Sequence, residues 1–407
     1  MLVNKLILTG LMAVSPMAFS APEDGLLNRI KGTVYFYEDT QLAFDIFKTE
    51  LKADGTCSIG TPLGTRSCDW FIADRTVNIN LSTPFTRTYI DYIEVPVGDD
   101  IGFEEVEVLE SISSYTIKLD SLQGLRASWE LTFETVNSYP ERDDLEPRVD
   151  TNVRSNLRAK AERALRRFRP DGLTALSIPT RLQDFDGVSS SAAIIDIQQN
   201  GIAKVLAGPN QQTSATWFQD RGAFKLSPEP GVVVNYKALD RRQGSLVPVV
   251  MEYITADETY IMKGNSTEVD FGLFNTGLAK DQWVGDWQIP GVDDFRYKFL
   301  EEGGIILENE DTDSIDLLLL WTVNQNRVEA RLLFSDNGEP FTTVEDAKTC
   351  LNEDNTVNTE ICRLLRQRRY YPLQKNGDEI VVLREIIVDF GDDTEEIYYT
   401  LHSLQRI

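Results

Sequence analysis

The stretch "WTVNQNRVEARLLF", residues 321–334, decides the architecture. A tryptophan opens it, a polar turn at Asn324-Gln325-Asn326 follows, and apolar and charged residues then alternate. The same pattern occurs twice earlier, as "WFIADRTVNINL" at 70–81 and "WFQDRGAFKL" at 217–226. In each, an apolar residue stands seven positions after the tryptophan: Val77, Phe224 and Val328. Alternation with a period of two and one polar face is the mark of an antiparallel sheet packed on one side.

Upstream of each tryptophan lies a glycine: Gly55 before Trp70, Gly201 before Trp217 and Gly304 before Trp321. Between glycine and tryptophan stands turn chemistry, "GTPLG", "GPN" and "DTDS" respectively. A hairpin folded about each turn brings the glycine opposite the indole. In the first hairpin the same register sets Cys57 opposite Cys68, on the same face as the Gly55–Trp70 pair. Directly opposed cysteines are close enough to bridge. Cys350 and Cys362 flank a short polar loop and make the second expected bridge. The close pairing, in a chain with one histidine, points to disulfides rather than a metal site.

Further strands read from alternation. "ASWELTF" puts Trp129, Leu131 and Phe133 on one face, and "GVVVNYKAL", "LVPVVMEYI", "EIVVLREIIVDF" and "EEIYYTLHSL" are of the same kind. The expected fold is mainly β. It has three antiparallel meander units, barrel-like or sandwich, with one basic amphipathic helix between the first and second. The expected boundaries are a signal peptide at 1–20, β domains at 21–139, 173–269 and 270–407, and a linker with the helix at 140–172. The helix is read from "DTNVRSNLRAKAERALRRFRPDG", where Val153, Leu157, Ala161, Leu165 and Phe168 form an apolar stripe. Its arginines, among them Arg154, Arg158, Arg166 and Arg167, make a basic patch on a chain of net charge -25.

Residues 1–20 combine Lys5, an apolar run and Ala18-Phe19-Ser20, so export to the periplasm or beyond is expected. No later run is long and apolar enough for a membrane helix. The acidity argues against nucleic acid and favours cationic partners. Histidine catalysis would rest on His402 alone, and no phosphate-binding loop is present.

Three binding features stand out. Trp283 and Trp287 in "WVGDW" are candidates for sugar stacking or for closing a barrel end. The four arginines above are candidates for an anionic envelope component or a protein partner, or for an interdomain brace. Asp311, Asp313 and Asp316 in "ENEDTDSID" would present oxygens to calcium. No other cofactor is expected.

The order Gly285-Asp286-Trp287, then Phe299, Gly304 and Trp321, resembles the opening of lipocalin-like barrels. The resemblance covers the third unit only, since the first has "GTVYF" with no tryptophan after its glycine. It implies a closed meander around an apolar lumen. The expected function is non-enzymatic binding or assembly by an exported bacterial envelope or secretome protein. The alternatives are a carrier of a small apolar ligand and a carboxylate-dependent glycoside hydrolase.

Overall fold

The computed structural model describes residues 30–37, 44–97, 100–123, 126–142, 144–181, 187–209, 214–220, 223–239, 245–290, 292–309, 317–389 and 395–407. The expected signal peptide lies outside them.

The alternating stretches form 24 strands, arranged as three closed barrels of eight antiparallel strands each. Barrel 1 spans Gly32 to Ala161, barrel 2 Gly172 to Glu268, and barrel 3 Gly285 to Arg406. Each is an up-and-down meander whose last strand pairs with its first. Closure leaves no sheet edge inside a unit, which settles barrel against sandwich.

The opening repeat is real at the level of single hydrogen bonds. In barrel 1 the Gly55 N–H donates to Lys52 O, the Trp70 N–H to Gly55 O at 2.8 Å, and the Trp70 indole to Lys52 O at 2.8 Å. Barrel 2 repeats this with Gly201, Gln198 and Trp217, the indole bond being 2.7 Å. Barrel 3 repeats it with Leu300 and Trp321, the indole bond being 3.2 Å. There the glycine is Gly303, not the expected Gly304, because Trp321 N–H donates to Gly303 O and Gly304 pairs with Leu320. The three glycines have φ of 88°, 83° and 104°, a left-handed conformation that a side chain resists. Either member of the Gly303-Gly304 pair satisfies the sequence pattern; only the backbone conformation separates them. Val77, Phe224 and Val328 are all fully buried, one in each barrel core.

Both disulfides form as expected. Cys57 and Cys68 are register partners with Cα atoms 4.8 Å apart, and Cys350 joins Cys362.

The expected basic helix is absent. Residues Arg148–Ala161 form β8, which pairs with β7 (Arg126–Ser138) and with β1 (Gly32–Tyr37) and so closes barrel 1. A bulge at Asn156, with φ of 63°, shifts the register between Trp129 and Leu131. The predicted apolar stripe disperses. Leu157 enters the core of barrel 1, Val153 faces solvent, Leu165 joins the contact between barrels 1 and 2, and Phe168 enters the core of barrel 2. Helix propensity is worth tenths of a kcal/mol per residue. Without β8, β1 and β7 would each keep an unpaired edge, and that non-local demand prevails.

The barrels pack side by side. Tyr35, Tyr37 and Phe47 leave the outside of barrel 1 to meet Leu239, Val250 and Ile261 of barrel 2. At this seam Glu252 accepts from Lys48 Nζ at 2.7 Å and from Tyr35 Oη at 2.8 Å. Burial opposes ionisation of Glu252, but Lys48, Lys237 and the Tyr35 hydroxyl outweigh it and pull the pKa from 4.5 to about 2. A carboxylate depressed in the folded state stabilises fully above its unfolded value and loses that contribution as pH falls toward the folded one. The seam should therefore weaken between pH 4.5 and about 2. Melting temperatures across that window should fall more steeply in the native protein than in Glu252→Gln. Parallel slopes would show that Glu252 is not what holds the seam.

Barrels 2 and 3 meet through Ala192 and Ile194 on one side and Leu373, Val381, Leu383, Tyr399 and Leu401 on the other. This explains the unbroken apolar run Ile380-Val381-Val382-Leu383 in β23 (Glu379–Asp389). Ile380 and Val382 point into barrel 3, and Val381 and Leu383 point at barrel 2. A strand buried on both faces loses its alternation.

Candidate functional site: the basic lumen of the third barrel

One end of barrel 3 is plugged. Trp283, from the short helix Lys280–Trp283, and Trp287 are about 1% exposed. They pack with Phe299, Trp321, Ile380 and Leu404. The Trp287 indole donates to Trp283 O at 2.7 Å, and the Arg406 guanidinium lies 4.9 Å over the Trp287 ring. The two tryptophans therefore form the base of the barrel, with no ring face turned to solvent.

Above the plug the lumen changes character. Strand β22 (Cys362–Asn376) pairs with β21 (Arg327–Ser335) so that Leu332 faces Arg366, Ala330 faces Arg368 and Val328 faces Tyr370. Residues directly opposite in an antiparallel pair share a face. Val328, Ala330 and Leu332 belong to the core of barrel 3, so Arg366, Arg368 and Tyr370 also point inward. On the other side Tyr370 pairs with Arg384, which pairs with Thr400 on β24 (Glu395–Arg406). Arg384 and Thr400 thus face the lumen, and so does His402, opposite Val382. Tyr297 completes the group from the strand Val292–Phe299.

Few of these groups satisfy one another. Arg384 donates to Thr400 Oγ1 at 3.2 Å and to Tyr297 Oη at 3.4 Å, and His402 Nε2 lies 2.9 Å from Thr400 Oγ1. Arg368 is 8% exposed, and its Nε has no hydrogen-bond partner. The buried Tyr370 hydroxyl makes no well-formed hydrogen bond, although it and the Tyr297 hydroxyl lie against the Arg368 guanidinium. Among the described residues no carboxylate pairs with Arg366, Arg368 or Arg384; the neighbouring Arg327, Arg331 and Arg369, by contrast, share Glu329 and Glu385 on the outer face. Burial, then Arg368 and Arg384, push the Arg366 pKa below its ordinary value. Burial, then Arg384 and Arg368, hold His402 neutral, well below the usual imidazole range.

Barrel 1 provides the control. Its core-facing arginines each have a carboxylate: Arg87 with Glu110 at 2.5 Å and Arg154 with Asp45 at 3.3 Å within the barrel, and Arg66 with Glu258 of barrel 2 at 2.9 Å. The same fold in the same chain therefore neutralises its inward arginines in one barrel and leaves them uncompensated in another.

At this level the inward positions are not all closed off. Arg366, Arg384, Ile386, Val388, Thr400 and His402 point inward yet keep part of their surface accessible. In barrels 1 and 2 the mid-lumen positions Ile79, Tyr115, Phe224 and Tyr236 are closed at 0–1% exposure. The walls around the arginines are apolar: Leu307, Leu319, Ala330, Leu332 and Ile386.

The arginines singled out from the sequence lie elsewhere. Arg154 braces the core of barrel 1 through Asp45, and Arg158 is exposed on β8. Arg166 and Arg167 are exposed where the chain crosses to the mouth of barrel 2. The calcium candidates Asp311, Asp313 and Asp316 lie outside the described residues. In the Cys350–Cys362 loop, Asp354 is engaged by the Thr356 hydroxyl and N–H. Sequence reasoning missed Arg366, Arg368 and Arg384. The signal available was the spacing Arg366-x-Arg368-x-Tyr370, which places three polar tips on one strand face.

No protein-family model matches the chain, and no curated protein or solved structure matches it.

Proposed function

We propose that the protein is a non-catalytic binding protein whose third barrel holds a small amphiphilic acid, head group inward. One observation carries this reading: three inward arginines have no carboxylate partner among the described residues, and Arg366, Arg384 and the inward Ile386, Val388 and Thr400 around them are only half-buried. A buried charge without a partner costs several kcal/mol, so an anionic ligand is the group that would complete the site. Arg368 and Arg384 would take the acidic head by charge-assisted hydrogen bonds, with Tyr370 Oη as a further donor. Leu307, Leu319, Leu332 and Ile386 would face the apolar body. Of the functions expected from the sequence, this favours the carrier of a small ligand and makes the ligand an acid. Two disulfides support an exported protein, periplasmic or secreted.

The test is calorimetric titration of the mature protein with medium-chain alkyl carboxylates, and with alcohols and ammonium ions of the same chain length. The carboxylates should bind at one site, and the alcohols about 10–100-fold more weakly, as expected for loss of a charge-assisted bond. The ammonium ions should not bind. Equal binding of carboxylate and alcohol would remove the arginines from the account.

A further inference from the structure

The segment between barrels 1 and 2 builds a second basic site. Phe168 is 7% exposed and inserts into the end of barrel 2, its ring 6.0 Å from Phe224 and 6.1 Å from Tyr236. The backbone on either side is fixed: Arg166 N–H donates to Ala238 O at 3.1 Å, and Gln219 Nε2 donates to Phe168 O at 3.2 Å. With the phenyl ring as anchor, Arg166, Arg167 and Arg169 are held around the barrel mouth. There they line a cavity of about 210 Å³, together with Phe168, Ser266 and Glu268. None of the three arginines has a carboxylate within ion-pair distance among the described residues, whereas nearby Lys237 is paired with Glu162.

We propose that this mouth is a binding site for a small dianion of the phosphate type. Among the described lining residues, three guanidinium groups stand against the one carboxylate of Glu268, a formal charge of +2. Guanidinium groups present planar forks of N–H donors that match phosphate and carboxylate oxygens. The net charge of -25 on the whole chain opposes approach of a large polyanion, so the site selects a small one. This site is separate from the lumen of barrel 3 and does not rest on the function proposed for it.

The experiment is titration of the full mature protein with inorganic phosphate, using sodium chloride at matched ionic strength as the comparison. One phosphate should bind per chain. The triple variant Arg166→Gln, Arg167→Gln, Arg169→Gln should lose at least about tenfold in affinity while its circular dichroism stays unchanged. The double variant Arg158→Gln, Arg163→Gln, which removes exposed charge away from the cavity, should bind as the native protein does. Arg368→Met should also bind phosphate normally. The proposal is overturned if chloride reproduces the phosphate signal, if the double variant loses as much as the triple, if the triple still binds, or if Arg368→Met abolishes binding.

Discussion

Replacing Trp321 by alanine should destabilise barrel 3 by about 3–5 kcal/mol, the range for removing a fully buried aromatic side chain. Trp321 is 2% exposed, meets Phe299 edge-on at 5.3 Å, and donates its indole N–H to Leu300 O. Truncation removes that packing and leaves the Leu300 carbonyl with one donor fewer. Trp70 and Trp217 occupy the same place in barrels 1 and 2 but are half-buried, so Trp70→Ala and Trp217→Ala should cost less. Urea unfolding of the three variants checks the order. Equal losses, or the smallest loss at Trp321, would mean that the shared hydrogen bonds and not the buried indole area set the stability of the motif.

The second large effect has opposite signs in the free and bound protein. Arg368→Met should raise the stability of the ligand-free protein by about 1–3 kcal/mol, because it removes a buried charge that only the neutral Tyr297 and Tyr370 hydroxyls and no carboxylate adjoin among the described residues. The same change should weaken carboxylate binding about 10–100-fold. A residue that merely supports the fold would lower both together. Thermal unfolding with and without a bound alkyl carboxylate separates the two cases. A less stable free variant would show that Arg368 already has its compensation within the chain.

The architecture was legible because hairpin logic is local. Gly55, Cys57, Cys68 and Trp70 sit in one register, and that register recurs with Gly201 and Trp217. The third hairpin was read one residue out, since Gly303 and Gly304 are adjacent and only the backbone conformation distinguishes them. The helix reading of 150–172 failed for the opposite reason. The apolar spacing of Val153, Leu157, Ala161, Leu165 and Phe168 suits a helix, but once β8 closes barrel 1, Leu157, Leu165 and Phe168 go to three different clusters and Val153 to solvent.

The lumen arginines were illegible for a reason of packing. The usual rule sends the polar face of a strand to water. In β23 and the later part of β22 the other face is itself buried, through Leu373, Val381 and Leu383, with Tyr399 of β24, against barrel 2. With an apolar demand on the outside of β23, the face carrying Arg384 is turned inward, and the pairing register with β22 brings Arg366 and Arg368 in with it. That follows only when the neighbouring barrel is in place, and nothing within the strand announces it. Trp283 and Trp287 lie buried in the core cluster of barrel 3, and the spacing of "WVGDW" alone is compatible with both exposed stacking and closure of a barrel end.

The central claim is that an acid completes the basic lumen of barrel 3, and a crystal structure of the mature protein with a bound alkyl carboxylate tests it most directly. The account predicts the carboxylate within hydrogen-bond distance of Arg368 and Arg384, and the alkyl chain against Leu319, Leu332 and Ile386. A ligand bound tail-first, with its carboxylate in solvent and both arginines untouched, would contradict it.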